Sequence, residues 1–177
     1  ANIDLISLPQ GSWLAALRYA ITVPAAIVYF MTSDTLFGVF LLFIFIHFLL
    51  TYLAYLFVKK IRKNDNAAFL TSLLVLFTPV FFVYAGAILP DLFQTMYLFL
   101  AFYISWLALV EKEKKIYLLL LSGFVFGVST SAKISSIIMA VPFSIFYFEV
   151  LFKENRRSFL KFFFIFEVLA PIVGGIP

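Results

Sequence analysis

The sequence predicts an all-α, polytopic α-helical membrane protein, and three observations support this fold class. Hydrophobic residues make up 64% of the 177 residues and charged residues 12%, whereas about 25% of an ordinary soluble domain is charged. Apolar runs of about 20 residues recur, and a helix of that length crosses a hydrocarbon core of about 30 Å. Clusters of Lys and Arg separate several of the runs. A soluble globular domain is excluded, because so few charges cannot cover its surface.

The composition also excludes several kinds of functional site. The sequence contains no cysteine and one histidine, which excludes disulfides, Cys-based zinc sites, iron–sulfur clusters and His clusters. It contains no Gly-rich phosphate loop, nucleophile elbow or HExxH motif. We therefore predict no metal-ligating residues, and we interpret the formal charge of +4 as a topology signal rather than as nucleic-acid binding.

Residues 1–35 are expected to form an interfacial segment on the outer face of the membrane. Residues 13–30 are apolar on average, but they include Arg18 and Pro24 and lack a flanking basic cluster. A crossing helix there would leave the start of the chain in the cytoplasm with Asp4 as its one charge. An amphipathic helix lying in the interface fits this pattern better.

Residues 36–177 are expected to form the transmembrane helical domain. The second predicted helix contains Pro79 and Gly86, which membrane helices tolerate. The fourth is short and rich in Gly and Ser, a composition typical of close helix packing. The predicted helices are residues 36–58, 67–89, 92–110, 116–132, 134–152 and 159–176.

The basic residues indicate the orientation of these helices. Eleven of the 13 Lys and Arg lie in loops 59–63, 112–115 and 153–161. These are alternate loops, so all three fall on one face if each intervening helix crosses once. The positive-inside rule makes that face cytoplasmic. The sequence thus predicts a multi-pass protein of the plasma or cell membrane, with Asp91 and Lys133 at the outer face.

Asp91 is the first candidate functional residue, because it follows Pro90 where two predicted crossings meet at the outer surface. Two roles are possible for its carboxylate. It can cap the helix that starts near Leu92 by accepting from free backbone N–H groups. It can instead face an outer cavity and act on a polar head group as a base, a metal ligand or an acceptor for a sugar hydroxyl. The sequence leaves both readings open.

Lys133 and Arg18 are the candidate cationic residues on the same side. Lys133 ends a run of small and hydroxyl-bearing residues, 129–132, in outer loops otherwise poor in basic residues. It either snorkels to the interface or binds an anion such as phosphate, with the neighbouring hydroxyls as further donors. Arg18 offers the same choice, and contact with lipid phosphates is favoured for it.

His47 and Glu167 are polar residues within predicted crossings. A neutral His47 hydrogen-bonded to another helix is expected, because a charge at that depth costs several kcal/mol. Glu167 would be the proton-coupling candidate in a transporter.

The order of these features resembles a family. A Pro-containing stretch comes first (Pro9 to Trp13), followed by a crossing that ends in a basic loop, a helix with a central proline and the run Leu89-Pro90-Asp91. The later run, Leu121 to Gly127 followed by Ser131-Ala132-Lys133, is similar to a helix with the pattern L-x-G-x-x-x-G that ends in a lysine. Together these features resemble the GT-C membrane glycosyltransferases, specifically the group of dolichyl-phosphate-mannose-protein mannosyltransferases and aminoarabinose transferases.

The resemblance implies an enzyme that moves a sugar from a polyprenyl-phosphate donor to a protein, lipid or glycan acceptor on the outer face. Asp91 matches the family's acidic residue at the start of its helix and would orient the acceptor or a divalent cation, the one cofactor that the resemblance allows. Lys133, together with Arg18, would bind the donor phosphate as it leaves.

The chain departs from the family in one respect. The family's principal catalytic carboxylate lies ahead of the stretch matching Pro9, and Asp4 is too close to Pro9 to take that place. We therefore expect the chain to be an incomplete enzyme, truncated at both ends.

Two alternatives to the glycosyltransferase function remain. One is a transporter or flippase-like subunit with Glu167, His47 and Lys133 along its pathway, and the other is a non-catalytic scaffold. Polar residues through the membrane would favour transport, and convergence of Asp91 with Lys133 would favour the transferase.

Overall fold

The computed structural model describes residues 19–80, 90–110 and 115–147, with isolated positions 164 and 172. Within these ranges the elements are helices joined by short turns, and no strand occurs. The predicted all-α fold is confirmed for this part of the chain. Its elements are α1 (Tyr19–Thr32), α2 (Thr35–Arg62), α3 (Asp65–Leu76), α4 (Pro90–Val110), α5 (Lys115–Ala132), a 3₁₀ helix (Ile134–Met139) and α6 (Ala140–Tyr147).

Two of the described helices are long and apolar enough to cross a membrane. They are Phe37–Arg62 within α2 and Pro90–Ala108 within α4, with mean hydropathies of 2.4 and 1.2. At 1.5 Å per residue, the 28 residues of α2 extend about 42 Å, more than a hydrocarbon core. Large apolar side chains on α2, including Phe45 and Phe48, are exposed, as expected of a surface that contacts lipid.

Helices α2 and α4 run in the same direction. Near their starts the rings of Phe43 and Phe93 pack edge to face at 5.0 Å. Near their ends the ring of Phe57 packs against those of Phe99 and Trp106, at 5.6 and 5.7 Å. The starts of α2 and α4 therefore share one end of the bundle. The basic end of α2 and the end of α4 share the other, as the alternating topology requires.

Helix α5 returns antiparallel to α4, and two buried serines hold the pair together. The hydroxyl oxygens of Ser105 and Ser122 lie 2.6 Å apart. Each also lies within 2.8 Å of the carbonyl oxygen of Ala101. Because the small side chains allow close approach and the hydroxyls satisfy each other, the polar groups cost little at this depth. The expectation of close packing for the Ser- and Gly-rich helix agrees with this contact.

The turn between α2 and α3 lies at the basic end of the bundle. Lys63 ends α2 in the left-handed conformation, with φ of 51°, and the Asn64 side chain accepts from the N–H of Ala67 to cap α3. Lys59 and Asp65 form an exposed ion pair at 2.9 Å across the turn. The hydrogen bond from Lys59 lowers the pKa of the Asp65 carboxyl. These contacts fix the hairpin that returns the chain into the bundle.

The prediction of one continuous helix over 67–89 is wrong at Pro79. Helix α3 ends at Leu76, and the backbone is helical again at 79–80. Pro79 has no N–H, and its ring disfavours the helical conformation of the residue before it. The freed carbonyls of the last turn still have donors: Phe77 N–H bonds the Leu73 carbonyl, and Thr78 N–H bonds the Val75 carbonyl. The Thr78 hydroxyl bonds the Leu74 carbonyl.

His47 satisfies the remaining carbonyl at this break. Its Nε2 lies 3.1 Å from the Leu76 carbonyl oxygen, and the side chain is buried. The ring nitrogen therefore carries a hydrogen and donates to α3. The expected hydrogen bond between His47 and another helix is confirmed, and its role at the Pro79 break is structural.

We expect His47→Leu to destabilise the protein by about 0.5–1.5 kcal/mol, because the half-buried Leu76 carbonyl would lose its donor. The measurement is thermal unfolding in detergent. His47→Gln is the matched control. It keeps an N–H donor and should lose less stability than His47→Leu. Unchanged stability of His47→Leu would contradict the structural role and would return His47 to the transport hypothesis.

The predicted helix 134–152 also differs from the structure at its start. Residues 134–139 form a 3₁₀ helix, and α-helical backbone begins at Ala140. Ser136 explains the tighter turn: its N–H bonds the Lys133 carbonyl at 3.0 Å, and its hydroxyl bonds the Ser129 carbonyl at 3.0 Å. These bonds hold the 3₁₀ turn against the end of α5. Residues 148–152 lie outside the described part of the chain.

Helix α1 packs against α2 at Gly38 and touches α4 through the Tyr97 hydroxyl, which donates to the Ala20 carbonyl at 3.2 Å. A Cβ at Gly38 would lie 2.7 Å from Thr32 Oγ1 and 3.2 Å from Val28 Cγ1. The absence of a side chain at this glycine therefore lets α1 approach α2. The interfacial location predicted for 1–35 stays a prediction, and residues 1–18 lie outside the described ranges.

We expect Gly38→Ala to destabilise the packing of α1 by about 1 kcal/mol. The overpacking cost of about 1–3 kcal/mol exceeds the gain of about 0.5–1 kcal/mol from replacing a helical glycine, because a hydrogen bond to the Val28 carbonyl holds the Thr32 hydroxyl in place. The measurement is unfolding of the single variants and of Gly38→Ala combined with Thr32→Ala. The double variant should lose less free energy of unfolding than the two single variants lose together. Strictly additive losses would show that the contact between residue 38 and the Thr32 hydroxyl is unimportant.

Candidate active site

The start of α4 places Asp91 at one end of the bundle. Helix α4 includes Pro90 and Asp91 in its first turn, ahead of the predicted start at Leu92. Proline suits the first helical position, because its missing N–H would have no helical partner there. Asp91 therefore lies inside the first turn rather than at the cap, near the positive end of the helix dipole. Its carbonyl accepts from the Thr95 hydroxyl at 2.7 Å.

Lys133 is held in extended backbone between α5 and the 3₁₀ helix, with φ of −156° and ψ of 122°. Its N–H donates to the Ser129 carbonyl at 3.1 Å, and its carbonyl accepts from Ser136 N–H at 3.0 Å. Both of its backbone polar groups are thus fixed. These two hydrogen bonds fix the position of the Lys133 backbone relative to α5 and the 3₁₀ helix.

Asp91 and Lys133 form an ion pair. The Lys133 Nζ donates to Asp91 Oδ1 at 2.5 Å, although the residues are 42 positions apart. Charge-assisted hydrogen bonds are stronger than those between neutral groups. The Lys133 side chain is 39% exposed and the Asp91 side chain 27%, so a ligand can reach both charged groups. The pair lies where α4 begins and α5 ends, at the end opposite the basic turn of α2.

A second polar contact lies next to the ion pair. The Gln94 side-chain amide donates to the Ser135 hydroxyl at 3.2 Å, one helical turn after Asp91 on α4 and two residues after Lys133. This bond joins the same two segments as the ion pair does. The sequence alone did not indicate this contact, because no sequence signal brings together residues 41 positions apart.

The hydroxyls of 129–131 do not take the role expected for them. Each donates to a carbonyl three residues earlier in α5, at 2.6 to 2.8 Å. Ser and Thr within helices commonly bond the preceding turn in this way. Further donors for an anion beside Lys133 are therefore expected from Gln94 or Ser135. The three donating residues of α5 are Ser129, Thr130 and Ser131.

A groove of about 340 Å³ lies between α4 and the segment that follows Lys133. Among the described residues of its lining, Thr95 is the polar one, and it belongs to the helical turn after Asp91. The other lining residues are apolar: Leu98, Phe99, Phe102, Met139, Pro142 and Phe143. The charged pair and an apolar groove are therefore adjacent along one face of α4.

The described residues do not by themselves form a cation site. In ranges 19–80, 90–110 and 115–147, no three His, Cys, Asp or Glu side chains come close enough to hold a metal ion. Asp91 is a single carboxylate already paired with Lys133.

Two predicted site residues lie outside the described part of the chain. These are Arg18, expected at the phosphate, and Glu167, expected on a transport pathway. Of the other two residues assigned to a pathway, His47 bonds the Leu76 carbonyl and Lys133 bonds Asp91. Among the described residues, the convergence of Asp91 with Lys133 is the feature that favours a transferase.

The fold and the site define a class of protein: an all-α integral membrane protein with a partly exposed ion pair at one end of its long helices. The sequence pattern of the dolichyl-phosphate-mannose-protein mannosyltransferases matches residues 9–173. The chain belongs to this family, and it is therefore a membrane glycosyltransferase of the GT-C kind. The family uses polyprenyl-phosphate-linked sugars as donors. Neither the curated proteins nor the solved structures gave a match.

Proposed function

We propose that this protein transfers a sugar from a polyprenyl-phosphate donor to a protein, lipid or glycan acceptor on the outer face of the membrane. The observation that carries the proposal is the ion pair between Asp91 and Lys133, at 2.5 Å. It supplies an anionic group for an acceptor hydroxyl and a cationic group for a phosphate. Its partial exposure supports access from outside the bundle.

Each charged group has one part in the reaction. The acceptor oxygen forms a bond to the anomeric carbon of the sugar, and the bond from that carbon to the phosphate oxygen breaks. The proton of the acceptor passes to the Asp91 carboxylate, which acts as general base. The electron pair of the broken bond remains on the phosphate, and Lys133 stabilises the added charge there.

Lys133 can bind the phosphate without breaking its hydrogen bond to Asp91. An ammonium group has three N–H donors, and the hydrogen bond to Asp91 uses one of them. The other two can bind phosphate oxygens. Binding of the donor then weakens the hold of Lys133 on Asp91, because the ammonium shares its charge between two anions. We infer that donor binding prepares Asp91 to accept a proton.

The positions of the basic residues at the ends of the long helices support an orientation in the membrane. Lys59, Lys60, Arg62 and Lys63 lie at the end of α2, opposite the Asp91–Lys133 pair. With the basic end in the cytoplasm, the pair lies at the outer face. We propose a multi-pass protein of the plasma or cell membrane, with loops 59–63, 112–115 and 153–161 cytoplasmic.

The test of this function is transfer by the protein in membrane vesicles. Vesicles that contain it receive polyprenyl-phosphate sugars one at a time, and release of polyprenyl phosphate is measured with native membranes as the source of acceptor. The proposal predicts release with at least one of the sugars, and none in vesicles with Asp91→Asn. Release that continues equally with Asp91→Asn and Lys133→Ala would overturn the site.

A further inference from the structure

Gln94 and Ser135 form a polar contact beside the ion pair that the proposed mechanism does not use. Their side chains are joined at 3.2 Å across 41 positions, and both residues are half-buried. Gln94 follows Asp91 by three residues, so the two lie on the same face of α4, about 4.5 Å apart along the helix axis. Ser135 follows Lys133 by two residues. The contact is therefore within reach of a ligand that binds the ion pair.

The contact leaves most of its hydrogen-bonding groups unused. A glutamine amide has two N–H donors and an accepting carbonyl oxygen, and a serine hydroxyl can donate once. Here one amide N–H of Gln94 donates to the Ser135 oxygen. Within residues 19–80, 90–110 and 115–147, no further hydrogen bond reaches either side chain. The amide oxygen, the second amide N–H and the serine O–H are therefore available to a ligand.

Stability alone does not account for a glutamine at this position. Ordering a long, flexible side chain and removing its polar groups from water both cost free energy. One hydrogen bond at 3.2 Å between neutral groups offsets only part of that cost. Apolar rings join the same two segments further along, where Phe102 packs against Phe143 at 5.9 Å. The polar contact therefore fits a role in binding better than a role in joining the segments.

The mixture of donors with an acceptor indicates the chemical class of the ligand. Both residues can donate to an anion beside Lys133, but the oxygens of an ionised phosphodiester only accept. The carbonyl oxygen of Gln94 would then lack a partner. A sugar hydroxyl both donates and accepts, so two neighbouring hydroxyls can bond the oxygen and the N–H of one amide together. The contact thus matches a neutral, hydroxyl-rich group rather than a second phosphate.

We propose that Gln94 and Ser135 bind hydroxyl groups of the transferred sugar and so determine which sugar the protein accepts. The inference rests on the proposed function, in which Lys133 binds the donor phosphate and Asp91 the acceptor hydroxyl. The anomeric carbon of the sugar carries the phosphate and receives the acceptor oxygen, so the sugar must lie beside both charged groups. From there its hydroxyls reach the Gln94 amide, one helical turn after Asp91, and the Ser135 hydroxyl.

The experiment measures transfer by the whole protein in vesicles with donors that share one polyprenyl phosphate. The donors carry either the sugar that gives the fastest release of polyprenyl phosphate or its monodeoxy analogues, each of which lacks one hydroxyl. The unaltered protein should prefer the intact sugar over at least one analogue by about two- to tenfold in kcat/KM, the contribution of one hydrogen bond between neutral groups. Gln94→Leu and Ser135→Ala should each lose preference against an analogue.

The matched control is Ser131→Ala, at the same end of the bundle. The Ser131 hydroxyl donates to the Val128 carbonyl of its own helix at 2.8 Å, so it is not available to a sugar. This variant should keep the preference of the unaltered protein. A preference that is unchanged in both Gln94→Leu and Ser135→Ala would overturn the proposal. If Gln94→Leu does not fold, the result for Ser135→Ala decides.

A second measurement separates sugar recognition from the phosphate site and from the proposed function. Binding of labelled polyprenyl phosphate, which carries no sugar, is measured for each variant. Gln94→Leu and Ser135→Ala should bind it as tightly as the unaltered protein does, whereas Lys133→Ala should bind it more weakly. Weaker binding by Ser135→Ala would assign the contact to the phosphate or to the fold and overturn the sugar assignment alone. Unchanged binding by Lys133→Ala would overturn the proposed function as well.

Discussion

Asp91→Asn is expected to abolish sugar transfer while leaving the amount of folded protein unchanged. A positioned general base contributes about 10²- to 10⁴-fold to rate, and asparagine cannot accept the proton. The side chain is 27% exposed, so an amide in place of the carboxylate does not create a deeply buried unpaired group. The measurement is polyprenyl phosphate release per mole of purified protein.

The matched control for this substitution is Asp34→Asn. Asp34 lies at the same end of the bundle, where its side chain accepts from Phe37 N–H to cap α2 at 3.1 Å. Asparagine caps helices as well as aspartate does, so this variant should retain both stability and transfer. Transfer at the unaltered rate by Asp91→Asn would remove Asp91 from the catalytic site.

Lys133→Ala is expected to raise the donor concentration needed for transfer. A hydrogen bond to a charged group contributes about 1.5–3 kcal/mol, which corresponds to a 10- to 150-fold rise in KM for the donor. The rate at saturation also falls, because the departing phosphate loses its stabilising cation. The measurement is the dependence of initial rate on donor concentration.

Two variants make the lysine experiment specific. Lys133→Arg keeps the charge and should recover part of the donor affinity, although the guanidinium has a different shape. Lys60→Ala removes an exposed positive charge at the opposite end and should leave the KM for the donor unchanged. A donor dependence in Lys133→Ala equal to that of the unaltered protein would exclude Lys133 from the phosphate site.

The meeting of Asp91 with Lys133 could be predicted because it depends on topology. Hydropathy gives the crossings, and the basic clusters give their direction; both residues then fall at the same end. The pairing in space needs only that α4 and α5 pack as neighbours, which short loops favour. The distance of 2.5 Å and the absence of a cap by Asp91 depend on the exact start of α4 and were not predictable.

The remaining features could not be predicted, because they depend on local competition for hydrogen bonds. Pro79 is tolerated inside many membrane helices, and the break before it depends on His47 reaching the Leu76 carbonyl. The 3₁₀ turn depends on Ser136 bonding Lys133 and Ser129. His47 and Leu76 are 29 positions apart, and partners at that distance leave no periodic signal in the sequence.

In the proposed mechanism the Asp91–Lys133 pair performs chemistry and does not only join two helices. The most direct test exchanges the charges, with Asp91→Lys and Lys133→Asp in one protein, and measures thermal unfolding and polyprenyl phosphate release. We expect the exchanged pair to restore the stability lost in each single variant, while release stays as low as in Asp91→Asn. Release at the rate of the unaltered protein would show that the pair works with its charges in either order, and it would exclude the proposed roles of Asp91 and Lys133.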